Sequence, residues 1–208
     1  MVKKVSIIDY GAGNIHSVYS ALKKISTYKI EVITEQSSLT VSDYIILPGV
    51  GAFVKPVEFF AANPKFKEYI FSHIAAGKPF LGICVGMQIL ADKGYENVVS
   101  NGLGLISGEV KKFPKTTNLR IPHIGWNNIS IRREINNGFA VQKFAQKDFY
   151  FVHSYYFSCQ NEDNVIADCA YGNLFPAIIA ADNIIATQFH PEKSGVNGLN
   201  FLKEFLTL

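Results

Sequence analysis

The sequence predicts an α/β fold: a mixed, mostly parallel central sheet flanked by helices, with a small antiparallel layer added to it. Two observations carry this prediction. In the first half, short apolar runs alternate with stretches of helical periodicity, the pattern of parallel strands joined by crossover helices. In the second half, from Leu105 to about Ala186, strand-like runs follow one another without helices between them, the pattern of antiparallel neighbours.

The elements read in order as follows. Val5 to Ile8 is a buried strand, ended by Gly11-Ala12-Gly13. Ile15 to Ile25 is an amphipathic helix, with Ile15, Val18, Tyr19, Leu22 and Ile25 at helical spacing. Ile30 to Ile33 and Tyr44 to Leu47 are strands, the latter stopped by Pro48-Gly49. Helical segments follow around 55–62 and 65–76. Pro79 to Ile83 is a strand that runs into Cys84 and a helix expected to reach about Ala91. Phe149–Val152, Val165–Ala167, Ala177–Ile179 and Ile184–Ala186 form the antiparallel part. A helix from about Val196 to Leu206 comes last. With no repeat, low-complexity tract or linker, the expected organisation is one domain over 1–208.

Composition removes several function classes. The chain has 208 residues, 48% hydrophobic and 18% charged, so it can bury a core. A net charge of +3, with basic residues only in scattered pairs, does not make a phosphate-tracking surface, and nucleic acid is not expected as a partner. No apolar run reaches the roughly 18 residues that span a bilayer, and the start lacks the pattern of a secretion signal. Three widely spaced cysteines give neither a disulfide framework nor a zinc pattern. A reducing, cytoplasmic setting is the expectation, with no membrane association.

In α/β sheets functional groups collect at the carboxyl ends of strands, which directs attention to the residues after Leu47, Ile83 and Phe189. Gly82-Ile83-Cys84-Val85-Gly86 places a cysteine between a strand and a helix start with a glycine two residues away on each side. This is the cysteine form of a nucleophile elbow. The glycines let strand and helix approach, the helix start favours thiolate, and the Val85 amide is placed to donate to an oxyanion. An isolated cysteine at a strand end would be read as core packing, which is the reading given to Cys159 and Cys169.

Phe189-His190-Pro191-Glu192 supplies the other half. A thiol nucleophile needs a base that later protonates the leaving group, and an imidazole titrates in the right range. Glu192 could accept a hydrogen bond from the far ring nitrogen and fix the tautomer. Alone, His-Pro-Glu would pass for a surface turn. Paired with the elbow it completes a Cys84, His190, Glu192 triad.

With these two segments the sequence resembles the class I (triad) glutamine amidotransferases, of which they are the hallmark motifs. Within that family, Asp9-Tyr10-Gly11-Ala12-Gly13-Asn14, Leu47-Pro48-Gly49-Val50-Gly51, Pro122-His123-Ile124-Gly125-Trp126-Asn127, Tyr150-Phe151-Val152-His153-Ser154-Tyr155 and Glu192-Lys193-Ser194 resemble the glutaminase subunits that serve imidazole glycerol phosphate synthesis in histidine biosynthesis. The likeness runs from residue 5 to the last helix. Val85, where leucine is usual, and the variable Asp9-Tyr10 are departures from it.

The resemblance implies a class I glutamine amidotransferase fold and hydrolysis of L-glutamine through a cysteine thioester, with no cofactor and no metal. It implies a second oxyanion donor from the Val50 amide after a peptide flip, with Gly51 beside it. Gly49, Gln88, Glu96, Ser154 and Tyr155 become substrate-binding positions, Glu96 for the α-amino group. Asn14, His123, Trp126, Tyr150 and Lys193 become interface positions toward a (β/α)₈-barrel synthase subunit that would receive the ammonia in a heterodimer. Two readings stay open for Trp126 (core or interface) and for His153 (orienting group or core histidine). A paralogous glutaminase feeding a sugar-modifying synthase for surface polysaccharide shares the same motifs, and a non-catalytic module on the same fold is the reading from a different class.

Overall fold

The computed structural model describes residues 2–114 and 119–208. Its strands in chain order are β1 Lys4–Ile8, β2 Lys29–Ile33, β3 Tyr44–Gly49, β4 Phe80–Cys84, β5 Lys93–Gly94, β6 Ser100–Asn101, β7 Gly108–Lys112, β8 His123–Asn128, β9 Ser130–Ile131, β10 Asp148–His153, β11 Tyr155–Cys159, β12 Val165–Tyr171, β13 Asn173–Ala181 and β14 Ile184–Thr187. The α-helices are α1 Ile15–Ile25, α2 Val54–Ala62, α3 Pro64–Ala75, α4 Val85–Gln88 and α5 Gly195–Phe205.

The main sheet has eight strands in the order β2-β1-β3-β4-β14-β13-β12-β9. The first five are mutually parallel, and β13, β12 and β9 continue the sheet antiparallel. Side chains alternate faces along each strand, and both faces are covered. Val5, Ile7, Ile46, Leu81 and Ile185 pack on one face with Leu22 of α1 and Phe201, Leu202 and Phe205 of α5. Ile8, Ile45, Leu47, Phe80 and Ile184 pack on the other with Phe60 of α2 and Phe66 and Ile70 of α3. Two-sided burial is why these strands appear in the sequence as continuous apolar runs rather than alternating ones.

The second half differs in detail from the expected single antiparallel layer. Beyond the main sheet lie a two-stranded ribbon, β8 with β10, and a four-stranded sheet in the order β11-β7-β5-β6. Sequence periodicity passes over β8 because its Ile124 and Trp126 face solvent while its His123 faces inward, the reverse of the usual alternation. The helix after Cys84 ends at Gln88 instead of reaching Ala91. The carbonyls of Ile89, Leu90 and Ala91 accept instead from the amides of Leu103, Leu105, Ile106 and Gly104, so this segment pairs with a neighbouring loop.

The register brings the carboxyl ends of the central strands together. Gly49 at the end of β3 lies opposite Cys84 at the end of β4, and Thr187 at the end of β14 lies opposite Ile83.

Candidate active site

Cys84 sits at the turn from β4 to α4 with φ +55° and ψ −107°, a conformation that costs a non-glycine residue about 1–3 kcal/mol. Its neighbours hold it there. A β-carbon on Gly82 would lie 2.5 Å from the Gly86 carbonyl oxygen, and one on Gly86 would lie 1.7 Å from that of Leu47. No side chain fits at either position, which is the physical content of the paired glycines. Val85 is the first residue of α4, where an amide has no partner within the helix.

His190 and Glu192 follow β14 in a short 3-10 turn. The ring Nδ1 of His190 is 2.8 Å from Glu192 Oε1, and both side chains are buried. Asn14 donates to the same carboxylate oxygen at 3.4 Å. The other ring nitrogen, Nε2, is buried without a hydrogen-bond partner among the described residues. Burial alone would lower the imidazole pKa, but the sulfur charge of Cys84 and then Glu192 outweigh it and push the ring up to about 10. The ring is therefore a strong acceptor for the Cys84 proton, with the carboxylate behind it to stabilise the resulting cation. Burial pushes the thiols of Cys159 and Cys169 up to about 12, which leaves them protonated and suits packing.

A cavity of about 350 Å³ opens onto the sulfur. Cys84, Val85, Gln88, Glu96, Ser154 and Tyr155 are on its wall, together with Gly51, Ala52, Pro122, Val152 and His153. Gln88 is buried and its amide donates to the Tyr155 carbonyl at 2.9 Å and to Gln188 Oε1 at 3.1 Å. Glu96 accepts from the Phe53 amide at 2.7 Å, which ties the loop before α2 to the cavity rim. The Ser154 carbonyl accepts from the Phe113 amide.

His153 donates from Nδ1 to the Tyr155 carbonyl at 2.8 Å, and its Nε2 faces Nδ1 of His123 at 3.1 Å. This pattern is satisfied with both rings neutral. Burial agrees, lowering His153 to about 3 and His123 to about 4.

The remaining expected positions are placed as follows. Gly49 is off the cavity wall: a β-carbon there would meet the Tyr10 hydroxyl at 2.1 Å and Val85 at 2.9 Å. Val50 donates its amide to the Ala12 carbonyl at 3.2 Å, an arrangement that precedes the peptide flip the resemblance implies. His123, expected at an interface, is buried and stacked on Tyr171. Trp126 is 58% exposed and lies edge-on to Tyr150, whose ring carries Lys193 on it at 6.0 Å.

Sequence reasoning missed Gln188, which is fully buried and points its amide at the Cys84 sulfur at 3.6 Å. The signal was available, because in extended backbone Gln188 faces the same way as His190, two residues on.

A buried acid–imidazole pair behind a strained thiol, at the carboxyl edge of a doubly covered sheet, defines an amidase site of the cysteine type. The family model for class-I glutamine amidotransferases matches residues 6–207, and the chain belongs to that family. The solved structure of PurLQS from Thermotoga maritima shares the fold, with a TM-score of 0.78 at 20% identity over 100% of this chain and 99% of that one. A glutamine amidotransferase from the same organism does so at a TM-score of 0.61 and 15% identity, over 100% and 83%.

The more similar relatives are more particular. The chain is 41% identical to imidazole glycerol phosphate synthase subunit HisH 1 of Campylobacter jejuni, covering 98% of this chain and all of that one. It is 40% identical to subunit HisH of Methanosarcina barkeri over the full length of both, and 42% identical to that of Geobacter sulfurreducens over 97% of each.

Proposed function

We propose that this chain is the glutaminase subunit of an imidazole glycerol phosphate synthase, working as one domain over 1–208 in the cytoplasm. In this reading it hydrolyses L-glutamine and delivers ammonia to a (β/α)₈-barrel synthase subunit in histidine biosynthesis. The observation that carries the chemistry is the buried His190–Glu192 pair at 2.8 Å, with the free ring nitrogen left for Cys84. Full-length identity of about 41% to HisH subunits supports the pathway.

His190 takes the thiol proton, and the Cys84 thiolate attacks the side-chain amide carbon of glutamine. The Val85 amide donates to the resulting oxyanion, and Val50 joins it once its peptide turns over. An oxyanion donor is worth about 2.7–4 kcal/mol to a transition state. His190 returns the proton to the leaving nitrogen, and ammonia departs from a γ-glutamyl thioester. Water, activated by the same ring, then releases glutamate and regenerates the thiol. Glu96 and the Ser154–Tyr155 backbone hold the amino-acid end of the substrate, and Gln88 keeps the cavity wall in register through Tyr155 and Gln188.

A docking face for the barrel is supported by the outer side of β8, where Ile124 and Trp126 are both more than half exposed, with Val196 close by in sequence to Lys193. The deciding experiment is glutamate release by the purified chain, alone and with the barrel synthase plus its nucleotide ligand, beside Cys84→Ala. Strong stimulation that Cys84→Ala abolishes is the expected result. Absence of stimulation with a folded, reduced protein would remove the histidine-pathway reading.

A further inference from the structure

Among the described residues, the Tyr10 hydroxyl is a buried polar group without a hydrogen-bond partner. Tyr10 follows β1, and its ring is buried against Phe59 in the core beneath α2 and α3. Buried hydroxyls without partners are rare and cost stability. Burial raises its pKa, so the group stays protonated and remains a donor.

Its position is specific. The hydroxyl fills the space where a β-carbon on Gly49 would lie, 2.1 Å from that point, and the same point is 3.0 Å from the Gly86 amide of the elbow. The peptide that follows Gly49 is the one whose amide belongs to Val50. That amide now donates to the Ala12 carbonyl, two residues beyond Tyr10, and not toward Cys84.

The N–H and C=O of one trans peptide point in opposite directions. If the Gly49–Val50 peptide turns over to present Val50 N–H to an oxyanion, the Gly49 carbonyl swings toward the 9–14 segment. There it would confront the Ala12 carbonyl, two acceptors face to face. The turned-over loop needs a donor on that side, and an unpartnered one already fills the space beside Gly49.

We propose that Tyr10 is a positioning residue for the oxyanion loop: its hydroxyl donates to the Gly49 carbonyl in the turned-over state and thereby holds the Val50 amide on the reacting oxygen. The inference rests on the glutaminase reading above. It explains why the resting loop leaves this hydroxyl unsatisfied, and why position 49 tolerates no side chain.

Tyr10→Phe keeps the ring and removes only the hydroxyl. In the complex with the barrel synthase plus its nucleotide ligand, kcat for glutamate release should fall about tenfold or more while KM for glutamine is held. Alkylation of Cys84 by a diazoketone analogue of glutamine, whose ketone oxygen must enter the oxyanion pocket, should slow in parallel. Alkylation by iodoacetamide, which needs no such pocket, should not change. The thermal midpoint of the variant should equal or exceed that of the parent, because an unpaired buried hydroxyl has been deleted. Parental kcat and diazoketone rates in Tyr10→Phe would overturn the proposal, as would equal slowing with both alkylating agents and a lowered midpoint. Glutamate release that survives Cys84→Ala would overturn the glutaminase reading itself.

Discussion

Two halves of the candidate site, the Cys84 elbow and the Pro48–Gly51 loop, are built on opposite principles although their strands are neighbours. The elbow is locked. Gly82 and Gly86 leave no space, Cys84 is held at φ +55°, and the base behind it is buried and paired. The loop is packed at Gly49 and open at its far end. Gly51 has φ +89° and nothing within 4 Å of where a side chain would be, and the Val50 amide is parked on Ala12. On the proposed reading, nucleophile and base stand together in this structure while the Val50 amide still donates to Ala12, so that peptide must turn over before Val50 can donate to an oxyanion.

The largest expected effect comes from breaking the locked half at its centre. Cys84→Ala should reduce glutamate release on the order of 10⁴–10⁶-fold, with little change in thermal midpoint. A residual rate above that would mean that the assembled half is not where the chemistry occurs. Glu192→Gln leaves the shape of the pair and removes its charge, and a rate loss of about 10²–10⁴-fold is expected. The same variant loses part of what holds His190 high, so the ring should titrate at lower pH, followed by its proton resonances. A titration unchanged by Glu192→Gln would leave Cys84 alone as the cause.

The next test compares the halves directly. Gly86→Ala places a β-carbon 1.7 Å from the Leu47 carbonyl oxygen and should destabilise the fold by about 3 kcal/mol, read from chemical unfolding. Gly51→Ala meets no neighbour and bears only the cost of a left-handed backbone, about 1–2 kcal/mol. Equal losses would mean that the loop is as tightly packed as the elbow, and the contrast would fall.

The locked half was also the legible half. Gly82-x-Cys84-x-Gly86 between a strand and a helix start is a local pattern, because each glycine answers to backbone within a few residues or one strand away. His190 and Glu192 are likewise local to each other. The parallel strands were legible because burial on both faces makes them uniformly apolar. What escaped depends on contacts distant in sequence. Gln188 reaches Cys84 across β14, Tyr10 meets Gly49 across β1 and β3, and His123 faces inward on a strand whose apolar residues face outward. Propensity and periodicity do not encode such pairings, and resemblance gave His123 a place near an interface without saying which way its ring turns.

The smallest effect separates the halves by pH. The Pro48–Gly51 loop carries no titratable side chain, whereas the cavity wall carries His153 bonded to His123, both held neutral, at about 3 and about 4 against an ordinary 6.5. Above the ordinary value neither the folded nor the unfolded chain is protonated there, and stability is level. Below it the unfolded chain binds protons that the fold refuses, so stability drains as pH falls toward the folded values, by about 2 kcal/mol from His153 at about pH 5. His190 acts with the opposite sign: its raised pKa contributes stability in full below 6.5 and loses it as pH climbs through about 10. Urea midpoints should therefore be highest near neutrality and decline on both sides. His123→Phe, which preserves stacking on Tyr171, should make the acid limb shallower by the share of His123 while His153 keeps its own, and leave the alkaline limb in place. An acid limb unchanged by that substitution would remove His123 from the cause and place the acid sensitivity of the locked half elsewhere.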